Sequence, residues 1–241
     1  MMANIFRFKQ FSVDQAGCAM KINTDGVLLG ALTAADKPLS ILDIGTGTGV
    51  IALMLAQRFA NAHIDAVEID ESAAITAASN FKNSPFADRL TLHPSGFEAF
   101  FNAYPERKYD LIVSNPPFYI NSLQSPGVKK NLAKHAGARF FDELMLGISD
   151  HLATDGVCWL ILPVGTAAMV KNLAVQHRLY LQKTISICSF KDDEPHREIL
   201  AFGFGADGAD GADEERLVIY DGLKVYSKGY QEILKEFLTI F

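Results

Sequence analysis

A glycine-rich stretch between two apolar segments constrains the fold of this chain most. Asp43 to Gly49 read Asp-Ile-Gly-Thr-Gly-Thr-Gly and connect an apolar run at 40–44 to an amphipathic run at 50–59. Glycine loops that follow a strand and open a helix let a ligand approach the backbone, and free amides at the start of the helix can face that ligand. The stretch therefore predicts a strand, a ligand-binding loop and a helix in direct succession.

Short apolar runs alternate with amphipathic stretches along most of the chain. This alternation predicts an α/β fold with a mostly parallel sheet, because parallel strands need crossover helices that cover the sheet. Towards the C-terminus, β-rich segments at 179–190 and 198–204 flank a polar turn and predict an antiparallel hairpin at the sheet edge. The predicted strands span residues 40–44, 62–69, 90–93, 109–114 and 157–162, and the predicted helices span 50–59, 71–83, 142–151 and 166–176.

The length and composition fit one domain. With 241 residues and 49% hydrophobic content, the chain can bury a core of the size that a single large domain needs. We predict an N-terminal lid at 1–39 with a helix at 25–33, a core at 40–205, and a flexible loop followed by a C-terminal helix at 206–241. The loop prediction follows from the Gly-Ala-Asp repetition at 205–213, which has too little apolar content to pack.

Cysteine spacing and hydropathy argue against disulfide-rich and membrane proteins. Cys18, Cys158 and Cys188 lie far apart and form no Cys-x-x-Cys pair, so the sequence predicts reduced thiols and no metal site. No apolar run reaches the length that spans a membrane, and the N-terminus lacks the apolar segment of a signal peptide. We therefore expect a cytoplasmic protein, and we expect a monomer.

The charge of the chain is unevenly distributed. A net charge of −6 argues against a protein that coats nucleic acid non-specifically. Residues 119–140, however, contain basic side chains and no acidic one. This segment is either a solvated loop or a surface that contacts phosphates, and we predict the second. The basic side chains are Lys129, Lys130, Lys134 and Arg139.

The spacing of the glycines distinguishes between nucleotide cofactors. A dinucleotide fingerprint requires Gly-x-Gly-x-x-Gly, but Val50 occupies the place of its last glycine here. The pattern Asp-x-Gly-x-Gly-x-Gly is instead similar to motif I of class I S-adenosylmethionine methyltransferases. That resemblance implies a Rossmann-like fold, S-adenosylmethionine as the cofactor, and Asp43 near its methionine end. The loop residues assigned to the cofactor are Gly45, Thr46, Gly47 and Gly49.

An acidic residue ends the second predicted strand. Glu68 can accept hydrogen bonds from both ribose hydroxyls, and its neighbour Ile69 is assigned to the same site. Asp70 is better explained as the N-cap of the following helix. Where these methyltransferases often place an acid near the adenine amine, this chain has Pro-Ser-Gly-Phe at 94–97. Ser95 or a backbone group can substitute for that acid.

The tetrapeptide Asn115-Pro116-Pro117-Phe118 follows the fourth predicted strand. The Asn115 side-chain oxygen and the Pro116 carbonyl can accept two hydrogen bonds from an exocyclic amine, and the two prolines keep these acceptors aimed. Phe118 can stack on a planar base taken out of its helix. Attack of a held amine on a methyl donor needs mainly positioning. The motif predicts methyl transfer to nitrogen, and the simpler alternative is a proline turn that ends a strand.

The N-terminal segment carries the most specific resemblance. Residues 8–11, Phe-Lys-Gln-Phe, and residues 18–30 closely resemble the N-terminus of bacterial tRNA(Val) adenine-N6 methyltransferases. This resemblance implies that the chain transfers a methyl group from S-adenosylmethionine to N6 of adenine 37 in the tRNA anticodon loop. It also implies that Thr24 and Asp25 lie over the cofactor, although capping of a helix explains these two residues equally well.

Three other functions stay open at the level of sequence. Methyltransferases that act on a glutamine of a release factor share the Asn-Pro-Pro motif, but they usually have Tyr in the fourth place and a longer helical N-terminal domain. Methyltransferases that act on N2 of guanine in ribosomal RNA share the whole tetrapeptide, but their catalytic domain commonly follows a second, related domain. A non-catalytic module that binds the cofactor and RNA would keep the glycine loop and would not need Asn115.

Overall fold

A computed structural model describes residues 4–117, 128–205 and 212–241, with the backbone alone for residues 128–135. None of the helices in these ranges is long and apolar enough to cross a membrane. The helices are α1 (Thr24–Leu32), α2 (Val50–Arg58), α3 (Glu71–Lys82), α4 (Phe97–Ala103), α5 (Val128–His151), α6 (Val164–Gln176) and α7 (Lys228–Leu234). The strands are β1 (Ile5–Arg7), β2 (Ser12–Asp14), β3 (Ser40–Ile44), β4 (His63–Val67), β5 (Leu90–His93), β6 (Tyr109–Ser114), β7 (Leu152–Pro163), β8 (Tyr180–Cys188), β9 (Arg197–Gly203), β10 (Asp213–Val218), β11 (Tyr220–Gly222) and β12 (Val225–Tyr226).

Eight of the described strands form the central sheet, in the order β10-β8-β9-β7-β6-β3-β4-β5. Strands β5, β4, β3, β6 and β7 are parallel, β9 is antiparallel to both β7 and β8, and β10 is parallel to β8. The strand order reverses between β3 and β6, which is the place where open α/β sheets bind ligands. Strands β3, β4 and β6 end at the same level there, since Ile44 at the end of β3 pairs with Val67 at the end of β4 and with Ser114 at the end of β6.

Helices cover both faces of the sheet and bury two hydrophobic clusters. Adjacent residues of β3 show the division, since Ile41 packs in one cluster and Leu42 in the other, and both are fully buried. The first cluster includes Leu53 of α2 and Leu234 of α7, and the second includes Leu144 of α5. Burial on both faces stabilises the sheet by roughly 25 cal/mol per Å² of apolar surface, and it explains why apolar residues dominate the central strands.

The structure confirms the predicted α/β class, with a mostly parallel sheet and an antiparallel C-terminal hairpin. The strands predicted at 40–44, 90–93 and 109–114 have the predicted bounds. The helix predicted at 142–151 is only the end of α5, which begins at Val128. The sequence does not predict α4, whose seven residues bury Phe97, Phe100 and Phe101. A helix this short offers too few turns for its periodicity to be recognised.

The prediction that the β8–β9 hairpin forms the sheet edge is wrong, because β10 lies outside β8. Four of the six residues of β10 are charged, so its sequence lacks the apolar pattern of a strand. Lys183 of β8 offsets two of these charges by pairing with Asp213 at 3.0 Å and with Glu215. Of the predicted flexible loop, residues 206–211 lie outside the described residues, and Asp213 begins β10. The division into lid, core and C-terminal part stays a prediction.

Candidate active site

A cleft of about 450 Å³ opens at the carboxyl ends of β3, β4 and β6. It is lined by N-terminal residues 18–20, the glycine loop, the β4–α3 junction, the β5–α4 loop, residues 114–117 and Phe140 of α5. Among the described residues, no cluster of three or more His, Cys, Asp or Glu side chains could hold a metal ion. The lining residues that the sequence assigns to the site are Gly45, Gly47, Glu68, Ile69, Asn115, Pro116 and Pro117.

The glycines of the loop adopt left-handed backbone conformations, with φ of +72° at Gly45, +57° at Gly47 and +84° at Gly49. Apart from the glycine itself and its two chain neighbours, no described residue has an atom within 4 Å of a Cβ built on Gly45 or Gly47, so both positions border open space. A Cβ on Gly49 would lie 2.5 Å from Cε1 of Phe81. The first two glycines therefore leave room for a ligand, and the third lets α3 pack under the loop.

Asp43 anchors the glycine loop from inside the protein. Its Oδ2 accepts hydrogen bonds from Thr46 Oγ1 at 2.6 Å and from the Ala52 amide at 3.2 Å, while Oδ1 has no partner among the described residues. Burial raises the pKa of this carboxyl to about 7, and the negative charge of Glu68 acts in the same direction. Asp43, Thr46 and Gly49 do not line the cleft, so their contact with a cofactor stays a prediction.

Glu68 joins the glycine loop to the end of β4. Its Oε2 accepts a hydrogen bond from the Gly47 amide, and its Oε1 accepts one from the Asp70 amide, both at 2.8 Å. Each oxygen retains a further acceptor position, which suits a pair of ribose hydroxyls. Ile69 is 78% exposed and lies beside Glu68 in the cleft. Asp70 caps α3 by accepting a hydrogen bond from the Ala73 amide, which confirms the cap predicted for it.

Ser95 of the β5–α4 loop, which the sequence suggests as a substitute for the missing acid, lines the cleft, and α4 and α5 add lining residues that the sequence motifs do not reveal. A Cβ built on Gly96 would lie 3.0 Å from Oε2 of Glu98 and 3.3 Å from Cδ1 of Ile69, so an acid does stand beside the cleft, inside α4. Phe140 packs edge-to-face on Phe97, with ring centroids 5.5 Å apart, and extends the apolar wall. No sequence pattern points to Glu98, because the sequence does not predict α4. Phe140 reaches the cleft only through the packing of α5.

Asn115 lies directly after β6, at the level of the glycine loop. Ser114 Oγ donates to the Ile44 carbonyl at 2.8 Å and ties the ends of β6 and β3 together. Oδ1 of Asn115 is buried and has no partner among the described residues, and its Nδ2 lies 3.8 Å from a Cβ built on Gly26 of α1. A buried oxygen without a partner costs on the order of 1–3 kcal/mol, so such an atom calls for a functional explanation.

The two prolines of the tetrapeptide extend the wall of the cleft. Pro116 is buried, Pro117 is exposed, and both line the cleft. Phe118 lies outside the described residues, so its stacking role stays a prediction. The predicted amine acceptors and the glycine loop thus share one cleft, which is the arrangement that methyl transfer from a nucleotide-like cofactor requires.

Thr24 and Asp25 begin α1 and do not line the cleft. The N-cap is Asn23, whose side chain accepts a hydrogen bond from an amide of the first turn at 2.9 Å. Asp25 accepts a hydrogen bond from Arg197 Nε at 2.8 Å, which ties α1 to β9. The contact of Thr24 and Asp25 with a cofactor stays a prediction. On this side the cleft is lined by residues 18–20, Cys-Ala-Met, which belong to the N-terminal segment that carries the resemblance but are not assigned to the site from the sequence.

Except for residues 18–20, the residues that line this cleft fall within the match to a known family. The model of the methyltransferase small domain matches residues 21–176. The chain belongs to this family. A tRNA1(Val) (adenine(37)-N6)-methyltransferase of Pedobacter heparinus is 46% identical over 240 residues, which cover 100% of both chains. The enzyme of the same name from Bacteroides thetaiotaomicron is 39% identical over 238 residues, which cover 98% of each chain.

Solved structures of other methyltransferases share the fold. A predicted O-methyltransferase from Agrobacterium tumefaciens has a TM-score of 0.67 at 16% identity, over 88% of this chain and 96% of its own. Ribosomal protein L11 methylase from Lactobacillus delbrueckii subsp. bulgaricus has a TM-score of 0.57 at 18% identity, over 80% and 83%. At these identities the likeness concerns the fold alone, and it confirms the Rossmann-like methyltransferase architecture.

Residues 128–140 of the basic segment of this methyltransferase form the first part of α5. Lys129, Lys130 and Lys134 belong to that helix, and their side chains lie outside the described part of the structure. Arg139, further along the same helix, is exposed and pairs with Glu143 at 2.8 Å. Phe140, the next residue of the helix, lines the cleft, so α5 connects the basic segment to the site. Contact of these residues with phosphates stays a prediction.

Proposed function

We propose that this methyltransferase uses S-adenosylmethionine to methylate N6 of adenine 37 in tRNA1(Val). The observation that carries the proposal is the unpartnered Oδ1 of Asn115, in the same cleft as the glycine loop and Glu68. The relatives support it, because proteins 38–46% identical along nearly the whole chain carry that name. A tRNA substrate also favours the cytoplasm as its compartment, and the monomeric state stays a prediction.

The residues of the cleft fit S-adenosylmethionine. Gly45 and Gly47 leave open space where side chains of other residues would project. Glu68 already fixes the loop and retains acceptor positions for the ribose hydroxyls. Ile69 and Phe97 provide apolar surface for a planar base. When bound, the cofactor supplies an electrophilic methyl group on a sulfonium.

In this proposal, Asn115 and Pro116 orient the target amine. Their oxygens accept its two N–H donors and leave the nitrogen lone pair directed at the methyl group. Positioning is the main contribution of the protein, since attack on an activated methyl carbon needs no earlier proton transfer. The nitrogen becomes positively charged as it gains the methyl group and then loses a proton readily. Neither an amide nor a carbonyl oxygen is basic enough to retain that proton, so it passes to water.

Methyl transfer to transcripts of tRNA1(Val) tests the proposal. Purified protein with radiolabelled S-adenosylmethionine should label the unmodified transcript, and it should not label a matched transcript in which guanine replaces adenine 37. A release-factor fragment and ribosomal RNA should stay unlabelled, because the rival activities act on a glutamine amide and on N2 of guanine. Labelling of either rival substrate in preference to the tRNA would contradict the proposal.

A further inference from the structure

Asn80 is a buried polar residue of α3, only 4% exposed, that the proposed mechanism does not use. Its Oδ1 accepts a hydrogen bond from the Asp14 amide at 2.9 Å. Its Nδ2 donates to the carbonyls of Asp14 and Thr48, each at 2.9 Å. Asp14 ends β2, and Thr48 belongs to the glycine loop. One side chain therefore connects two segments that approach the cleft from different parts of the chain.

Residues 14–20, which we name the cover, lie against α3. Ser72 Oγ donates to the Gly17 carbonyl and Thr76 Oγ1 donates to the Ala16 carbonyl, both at 2.7 Å. Gly17 has a φ of +81°, and a Cβ built there would lie 2.8 Å from Ser72 Oγ. The cover therefore fits closely on the helix, and its last three residues line the cleft.

The glycine loop is fixed on both sides of Thr48. The Gly47 amide donates to the carboxylate of Glu68, which follows β4, and Gly49 contacts Phe81, the residue next to Asn80. Thr48 is 4% exposed, so its carbonyl has little access to water and depends on Asn80 for a partner. An aspartate in place of Asn80 could not donate, and its carboxylate would face two carbonyl oxygens.

We propose that Asn80 is a positioning residue that couples the cover to the glycine loop, so that two walls of the cofactor cleft hold their places together. The inference rests on the proposed function, because it requires the cleft to bind S-adenosylmethionine. A ligand that orders the glycine loop also orders the cover through this side chain, and the ordered cover slows departure of the ligand. Asn80 itself does not line the cleft.

Binding of S-adenosylhomocysteine to an Asn80→Asp variant tests the coupling. Its dissociation constant, measured by calorimetry, should rise about tenfold or more, because a buried side chain loses two donated hydrogen bonds. Stopped-flow measurements should assign most of the change to faster dissociation. An Asn80→Ala variant, which removes the link without adding a charge, should change both quantities in the same direction.

Two control variants separate the coupling from general stability. Asn83→Asp makes the same chemical change at an exposed position, the C-cap of the same helix, and should keep the wild-type affinity. Thr33→Val removes a buried hydroxyl that donates to the Leu29 carbonyl at 2.7 Å, and should lower the melting temperature without changing the affinity. An Asn80→Asp variant that loses thermal stability but binds S-adenosylhomocysteine like the wild type would overturn the inference.

Amide hydrogen exchange on the wild-type protein tests the same coupling without any variant. Saturating S-adenosylhomocysteine should slow exchange at the Asp14 amide, which donates to Asn80, together with exchange in the glycine loop. Protection confined to the glycine loop would overturn the inference alone. Wild-type protein that takes up no S-adenosylhomocysteine would overturn the proposed function and, with it, this inference.

Discussion

At the scale of single residues, Glu68 connects the backbone of the site to the expected ligand. Its carboxylate accepts hydrogen bonds from the amides of Gly47 and Asp70, and it is assigned to the ribose hydroxyls. We expect Glu68→Ala to weaken S-adenosylhomocysteine binding by about 1.5–3 kcal/mol, since hydrogen bonds to a charged acceptor are lost. Calorimetry measures the loss, and Glu71→Ala, at an exposed acid of α3, is the control. Wild-type affinity in Glu68→Ala would remove this residue from the site.

Asp43 makes the stability of the fold depend on pH. Burial raises its pKa from an ordinary value of 3.8 to about 7 in the folded protein. Between these values the folded state holds a proton that the unfolded chain has released, so the stabilising contribution is full below the unfolded value and is lost as the pH rises through 7. The wild type should therefore lose stability relative to Asp43→Asn as the pH rises. Urea unfolding of both proteins between about pH 5 and 8 measures this difference, and a difference independent of pH would contradict the account.

The sequence predicts candidate site residues where they follow directly on a strand. Gly45, Glu68 and Asn115 each stand after an apolar run, and the structure brings all three into one cleft. The sequence does not predict Glu98 or Phe140 as site residues, for different reasons. Glu98 lies in a helix that is too short to show a helical period. Phe140 is placed by the packing of α5, a tertiary contact that no local pattern encodes.

At the scale of elements, α5 begins with basic residues and also contributes Phe140 to the cleft. Lysines that contact tRNA phosphates release condensed counterions, so the affinity for tRNA should fall steeply as salt is added. The variant Lys129→Ala, Lys130→Ala, Lys134→Ala should bind tRNA1(Val) more weakly. Its slope of log affinity against log salt should flatten by somewhat under one unit per lost contact. Its affinity for S-adenosylhomocysteine should not change, since the glycine loop is intact.

A control for the basic segment is available at the amino ends of the parallel strands. Lys37 and Lys108 precede β3 and β6, so they lie at the end of the sheet remote from the cleft. Replacing both lysines by alanine should leave the salt slope unchanged. An unaltered slope in the triple variant would mean that its lysines are only solvated. The RNA would then have to be held by the N-terminal basic residues Arg7, Lys9 and Lys21.

Burial decides which elements the sequence reveals. The central strands are covered on both faces, so apolar residues dominate them, as at 111–113 of β6. β10 lies at the sheet edge, where its charged residues remain exposed and only Leu217 is buried, so no strand pattern appears in its sequence. The start of α5 is likewise hidden, because the lysines in its first turns interrupt any apolar stripe.

At the scale of the whole molecule, the sheet brings distant parts of the chain to one edge. The cover, the glycine loop, Asn115 and α5 come from both halves of the sequence and meet where the strand order reverses. The net charge of −6 describes the whole surface and does not describe this edge, where Phe140 of α5 lines the cleft. We therefore expect recognition of tRNA to depend on where the charges lie rather than on their sum.

Mass-spectrometric mapping of tRNA1(Val) from a strain that lacks this gene tests the central claim most directly. Complementation with the wild-type gene should restore N6-methyladenosine at position 37. Complementation with Asn115→Ala should leave that adenine unmodified, although the variant protein accumulates and binds S-adenosylhomocysteine, because the side chain is assigned to the target amine and not to the glycine loop. N6-methyladenosine that persists at position 37 without the gene, or that returns with Asn115→Ala, would contradict the account.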